Sequence, residues 1–248
     1  MAAEGAVQSV ARTFAVLDAI ADAGGSAGLT QIASRAGLPE STTHRLMATL
    51  TTLGVVRRLE DRRYGLGSRL VRLGSAAAPV VGAVVRPTLA SLVDELGESA
   101  NLAMLVGAQA EYVAQVPSRH AMRLFTEVGR RVDLHCTGVG KAMLSALDAA
   151  TVTAIIDGSG LPARTAHTIV DRVTMGAELA GIRARGYAMD EQEQELGVRC
   201  VAVPIPLPDG GVFAVSVSGP LQRMTDDLVA RAVPALQSAA SAIAAAVA

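Results

Sequence analysis

Apolar residues recur at three- and four-residue steps over Val7, Val10, Phe14, Leu17 and Ile20, predicting a first helix with one buried face. Gly24-Gly25 ends it. A short second helix is expected from Leu29 to Ala36, stopped at Gly37. Leu38-Pro39-Glu40-Ser41 reads as a turn and helix start. The third helix then runs from Ser41 to Leu53, with Leu46, Leu50 and Leu53 on its buried side and Gly54 at its end. The period next changes to two. Val55 to Leu59 and Arg63 to Leu66 read as short strands around a polar Glu60-Asp61-Arg62 tip. Leu66, Leu70 and Leu73 predict a connecting helix, and the small residues from Gly74 to Pro79 predict a break after it.

Beyond the break, helices are expected from Val84 to Leu96, Gly138 to Leu147, Glu178 to Arg185 and Asp226 onward. Strands are expected over Leu102 to Val106, Glu111 to Val116, Arg123 to Leu134, Val201 to Ile205 and Val212 to Val217. The last two are turned by Pro208-Asp209-Gly210-Gly211. Helices and strands are mixed, so the chain is expected to be α+β.

Composition narrows the classes. The 248 residues are 50% hydrophobic with a net charge of -1, which excludes wholesale disorder. Aromatics are 2%, too few for a base-stacking platform. The two cysteines exclude a disulfide scaffold and point to a reducing, cytoplasmic setting. No basic n-region opens the chain. The uncharged stretch from Ala232 to Ala248 is mostly alanine and is expected to fall short of a membrane span. Charge is unevenly spread. Residues 1–75 carry nine arginines against six acids, +3, and the remainder thirteen bases against seventeen acids, -4. Near-neutrality is therefore a cancellation. Lys141 is the only lysine. It is expected to be a solvated surface residue, with a charge beside an anionic ligand or a subunit contact as the functional alternative.

The front reads as a helix-turn-helix. Ala33 is small where two helices cross, and Gly37 permits a turn with φ > 0. Ser41, Thr42, Thr43, His44 and Arg45 are then the candidate contacts to base edges and phosphates in a major groove. Arg57, Arg58, Arg62 and Arg63 flank the hairpin tip as a phosphate-gripping wing. His44 has no His or Cys at ligand spacing, and no metal site is expected there or elsewhere.

These segments resemble the IclR (isocitrate lyase regulator) family of bacterial transcription factors. The front does so through Ile32 to Leu46 and through Arg63-Tyr64-Gly65-Leu66-Gly67 with Leu70 and Leu73-Gly74. The body does so at Thr137 to Ala142, at Arg185 to Asp190 with Gly197 to Ala202, and at Val215 to Pro220. The resemblance implies a winged helix-turn-helix over residues 1–66, a linker helix over 67–79 and a GAF-like α/β effector-binding domain over 80–248. It further implies double-stranded operator DNA and a small organic-acid effector as partners, a homodimer or homotetramer, and no cofactor. Carried over by motif, the effector-binding residues are Gly138, Val139, Asp190, Cys200, Ser216 and Ser218. Their chemistry is consistent with that role. A glycine-opened helix start offers free N–H groups to a carboxylate, and two serines at i and i+2 on a strand share one face.

Two other classes compete with this reading. One is a small-molecule hydrolase or transferase using Cys200 with His135 and Asp190, although no nucleophile signature surrounds Cys200. The other is a dimeric ligand sensor that does not bind DNA. Gly138-Val139-Gly140-Lys141 is too short for a phosphate-binding Walker loop.

Overall fold

The computed structural model describes residues 7–124, 126–208 and 210–247. Asp209 of the expected turn, and Phe125 within the expected strand from Arg123, lie outside the described residues. Contacts divide the chain into two compact units, one ending at Ala78 and one beginning at Pro79.

The first unit holds α1 (Gln8–Ala21), β1 (Ser26–Ala27), α2 (Leu29–Arg35), α3 (Glu40–Thr52), β2 (Val56–Arg58) and β3 (Tyr64–Leu66). The strands form one antiparallel sheet in the order β1-β3-β2. Gly37 takes φ 64° between α2 and α3, a backbone state that favours glycine. Ile32, Met47, Leu50, Val56, Val16 and Ile20 pack as one core. Two faces differ from expectation. On α3 the buried residues are Thr43, Met47 and Leu50, while Leu53 is exposed, so the helix is rotated from the Leu46-Leu50-Leu53 stripe. Thr43 can be buried because its hydroxyl donates to Pro39 O one turn back, at 3.1 Å. On α1 only the later part of the apolar stripe is buried. Val16, Ala19 and Ile20 enter the core, whereas Val7, Val10 and Phe14 are exposed in the single chain.

The expected break at Gly74–Pro79 does not occur: α4 runs from Ser68 to Leu96 through Pro79 and Pro87. A proline ring forfeits one helical bond but does not oblige a stop, and no glycine cap follows until Gly97 (φ 79°). In the second unit follow β4 (Ser99–Val106), β5 (Gln109–Val116), β6 (Arg131–Asp133), α5 (Gly138–Ala146), α6 (Ala149–Ser159), α7 (Arg172–Arg185), β7 (Ala188–Glu191), β8 (Val198–Pro206), β9 (Val212–Pro220) and α8 (Asp226–Val247). Of the strand expected over Arg123 to Leu134, the described residues form only β6. The sequence reading also lacked α6 and β7. The strands make a six-stranded antiparallel sheet in the order β6-β5-β4-β9-β8-β7.

Alternation along these strands sorts two cores. Val201, Val203, Val215 and Val217 join Leu89, Leu92, Leu228, Leu236 and Ile243 from α4 and α8. Ala188, Ala202 and Ala214 face α5, α6 and α7 with Met143, Ile156, Met175 and Ile182. Both α4 and α8 are long and apolar enough to cross a membrane by length and composition alone. In α8 the residues Leu228, Val229, Ala232, Leu236, Ala239, Ala240 and Ile243 are buried within the protein.

Candidate DNA-contacting surface and effector site

On α3, Ser41, His44 and Arg45 are exposed and Thr42 is half-buried. Thr43 is fully buried and is withdrawn from the set of groove-facing residues. The helix period explains the error. Residues 41 and 45 share a face with one turn between them, while 43, 47 and 50 lie on the opposite side. On the hairpin, Arg57, Arg58, Arg62 and Arg63 are all exposed. The tip is tightly made: Asp61 Oδ1 accepts from Arg63 N at 3.0 Å, and Arg62 takes a positive φ of 66°. The Arg63 guanidinium donates to Ser26 O, so this arginine braces the hairpin against β1. Arg57, Arg58 and Arg62 form no such tie among the described contacts.

The six effector residues carried over by motif meet in the body. Ser218 on β9 sits opposite Cys200 on β8, which sits opposite Asp190 on β7, one row straight across three strands. Ser216 lies opposite Ala202 and Asn101 in the next row. Helix α5 begins directly on this face: a Cβ built on Gly138 would stand 2.9 Å from Cys200 Sγ. Thr137 caps α5 by accepting from Gly140 N at 3.1 Å. The amides of Gly138 and Val139 therefore stand ahead of the first helical bond, which runs from Lys141 N to Thr137 O.

The row is buried and polar. Asp190 accepts from Glu193 N at 2.7 Å and Gln194 N at 3.4 Å. Burial nevertheless dominates and pushes its carboxyl up to about 7, against those N–H donors, with the Glu193 charge adding to the rise and Lys141 opposing it. The Ser216 hydroxyl is buried with no hydrogen bond of ordinary geometry among the described residues, the Cys200 thiol being its polar neighbour. Such an orphan is costly in a finished core and useful in a ligand site. The Ser218 hydroxyl accepts from Asn101 Nδ2 at 3.1 Å.

Sequence reading missed Asn101 and Tyr112. Asn101 is 1% exposed and faces Ser216 across β4–β9. Burial, then the nearby Cys200 and Asp190, hold the Tyr112 phenol well above its usual range. The signal for Asn101 was present as polar residues at every second position of Ser99-Ala100-Asn101-Leu102, and it was lost by starting the strand at Leu102.

Lys141 is not solvated, and its charge is already paired by carboxylates of the protein itself. It is 2% exposed, donating to Glu178 at 3.3 Å and closely paired with Glu193. The Cys200 thiol is pushed up to about 12, burial first and the Asp190 charge second, the opposite of an activated nucleophile. His135 is engaged elsewhere, its Nε2 at 2.9 Å from Pro162 O. Asp133, His135 and Cys136 bring ligand-type atoms within 4.8 Å of one another. Each is already partnered: Asp133 by Arg164, His135 by Pro162, and Cys136 by Gln194 at 2.9 Å. The Cys136 thiol is pushed up to about 12, chiefly by burial.

Comparison with known proteins agrees with this architecture. Residues 9–60 match the family model described as IclR helix-turn-helix domain. Residues 78–245 match that described as Bacterial transcriptional regulator IclR C-terminal. The chain is 39% identical over 233 residues to the transcriptional repressor IclR of Escherichia coli, covering 92% of this chain and 85% of that protein. It is also 39% identical over 231 residues to the acetate operon repressor of Salmonella typhimurium, covering 91% of this chain and 84% of that one. Among solved structures, the Thermotoga maritima IclR superposes with a TM-score of 0.65 at 28% identity, covering 95% of this chain and 97% of that one. Two family models in their order, sharing nearly the whole chain with relatives at this identity, leave one assignment: the protein belongs to the IclR family of bacterial transcriptional regulators, built from a helix-turn-helix DNA-binding domain and an α/β effector-binding domain, and is not an enzyme.

Proposed function

We propose that residues 1–66 read an operator, that 80–248 bind a small carboxylate effector, and that 67–79 link them, in a cytoplasmic regulator of a metabolic operon. In this reading Arg45, Ser41, Thr42 and His44 contact base edges and phosphates. Arg57, Arg58 and Arg62 grip the backbone beside them, with Arg63 holding the hairpin in shape. The observation that carries the DNA reading is the exposure of Arg45 and its neighbours on the second helix of the pair, while Thr43 and Met47 anchor that helix in the core. The effector reading is supported by the buried Ser216 and Ser218 hydroxyls on one strand and, across β8 from Ser218, a carboxyl that burial favours in its protonated form. A carboxylate would accept from the Gly138 and Val139 amides, from the serine hydroxyls and from protonated Asp190, with Cys200 as a weakly polar wall.

The protein acts as a homodimer or homotetramer. Supporting this are the exposed Val7 at the N-cap of α1 and Val10 and Phe14 on it, at 65%, 53% and 61% exposure, an apolar surface that a second copy can cover. The effector shifts a population between arrangements that differ in DNA affinity, which requires that it bind them unequally.

A gel-shift titration with DNA from upstream of the protein's own gene tests the reading. Salt-sensitive binding is expected, with affinity falling steeply as phosphate contacts release counterions. Arg45→Ala should abolish specific binding while the circular dichroism spectrum stays unchanged. Absence of salt-sensitive binding by the wild type, or undiminished specific binding by Arg45→Ala, overturns the assignment.

A further inference from the structure

A chain of side-chain contacts runs away from the effector row across the sheet. Ser218 on β9 meets the Asn101 amide of β4 at 3.1 Å, and the other end of that amide meets the Gln115 amide of β5 at 3.0 Å. Gln115 stands opposite Asn101 in the β4–β5 register. Its amide lies against the backbone of Thr126, in the connection between β5 and β6, with contacts of 2.7 and 2.9 Å. Asn101 is 1% and Ser218 8% exposed, so both depend on partners within the protein or its ligand.

The direction of these bonds is fixed from the Thr126 end. The nitrogen and oxygen of an amide are alike in shape, and a contact distance alone does not tell which is which. Taken as an isolated pair, Asn101 donates to Ser218. A backbone N–H only donates, however, and a backbone carbonyl only accepts. Gln115 satisfies both groups of Thr126 in one orientation: its nitrogen donates to Thr126 O at 2.7 Å, and its oxygen accepts from Thr126 N at 2.9 Å. That same oxygen is the atom 3.0 Å from Asn101. Asn101 therefore turns its nitrogen to Gln115 and its oxygen to Ser218. The Ser218 hydroxyl then donates to Asn101, the reverse of the isolated pair. Its proton is committed there, and its lone pairs remain.

Ser218 is thus an acceptor in the effector row, and Ser216 is the serine left to donate to a carboxylate. Among the described residues no hydrogen bond is donated to Ser218 in this arrangement. A buried acceptor without a donor is costly. A ligand that brings a donor there gains, and one that brings a second acceptor is repelled. A hydroxyl suits the place better than an ammonium, which would carry a charge and three donors into a buried site. We infer that the effector is a small hydroxy acid whose hydroxyl donates to Ser218, with Asn101 and Gln115 as positioning residues that hold Ser218 as an acceptor. The inference rests on the effector reading of the row and adds the polarity of one contact.

Isothermal titration calorimetry of the full chain tests it with three-carbon acids: lactate and 3-hydroxypropionate against propionate, pyruvate and alanine. One of the two hydroxy acids is expected to bind roughly tenfold or more tighter than the other three. Ser218→Ala should bring it down to the affinity of propionate. Asn101→Leu, close in size, frees the Ser218 proton and should shrink the preference over pyruvate to about twofold or less. Asn101→Asp keeps an oxygen toward Ser218 and, protonated, a donor toward Gln115, so the preference should persist. A merely structural role for Asn101 would weaken all the acids alike. Thermal melting establishes that each variant is folded before its binding is read, and Ser218→Ala carries the test if Asn101→Leu does not fold. Equal or tighter binding of propionate, pyruvate or alanine overturns the inference and leaves the effector reading standing. A preference that survives Ser218→Ala or Asn101→Leu, or is lost in Asn101→Asp, does the same. Binding of none of the five acids overturns both.

Discussion

Replacing Asp190 by Asn tests whether the polar row of the sheet holds a proton near neutrality. Asp190 is 3% exposed, and burial raises its carboxyl from 3.8 to about 7. Below pH 3.8 the folded and unfolded chains both carry the proton. Between there and about 7 only the folded chain keeps it, so the folded state binds more protons and stability falls as pH rises. Above about 7 both have released it and the deficit stays constant. A shift of about three pH units corresponds to about 4 kcal/mol. Asn fills the same volume, and its carbonyl can still accept from Glu193 N, but it cannot ionise. Urea denaturation of wild type and variant, followed by circular dichroism from pH 4.5 to 8, isolates this group by difference. The stability of Asp190→Asn relative to wild type should climb by about 3 kcal/mol between pH 4.5 and 8 and level off above neutrality. Parallel profiles, or a wild type that gains on the variant as pH rises, would refute the reasoning. Either would mean that the two N–H donors and Lys141 keep Asp190 ionised despite its burial.

Two further outcomes follow from named contacts. Lys141→Met strands Glu193 and half of the Glu178 network, so equilibrium unfolding should report a loss of about 3–5 kcal/mol, partly recovered when Glu193→Gln is added to the same chain. Gly138→Ala places a Cβ 2.9 Å from Cys200 Sγ and should cost about 1–3 kcal/mol while abolishing the effector response in the DNA-binding assay. Adding Cys200→Ala should restore stability in thermal melts.

The sequence by itself determined the helix pair, the hairpin after it, most strands of the body, and the six residues that meet around the start of α5. These features are local. Glycines with positive φ, such as Gly37, Gly54 and Gly186, close the elements that were read from them. The family motifs named residues that the sheet register then set side by side. Helix rotation was less legible. Leu46, Leu50 and Leu53 look like a buried stripe, but which side of α3 is covered depends on where α1, α2 and the hairpin pack. Those contacts selected Thr43, Met47 and Leu50. The exposed start of the α1 stripe has the same cause: periodicity shows that a face is apolar and does not show what covers it.

Only the tertiary structure decided the fate of Lys141. Its partners lie 37 and 52 residues away, on α7 and after β7, and no spacing along the chain announces a pairing at that distance. Strand β7 was invisible for a similar reason: four residues at a sheet edge carry too little alternation to be told from a loop. Its pairing with β8 nevertheless sets Asp190 opposite Cys200 and Glu191 opposite Arg199. Local pattern fixes what each segment can become. Burial and charge pairing depend on which segments meet.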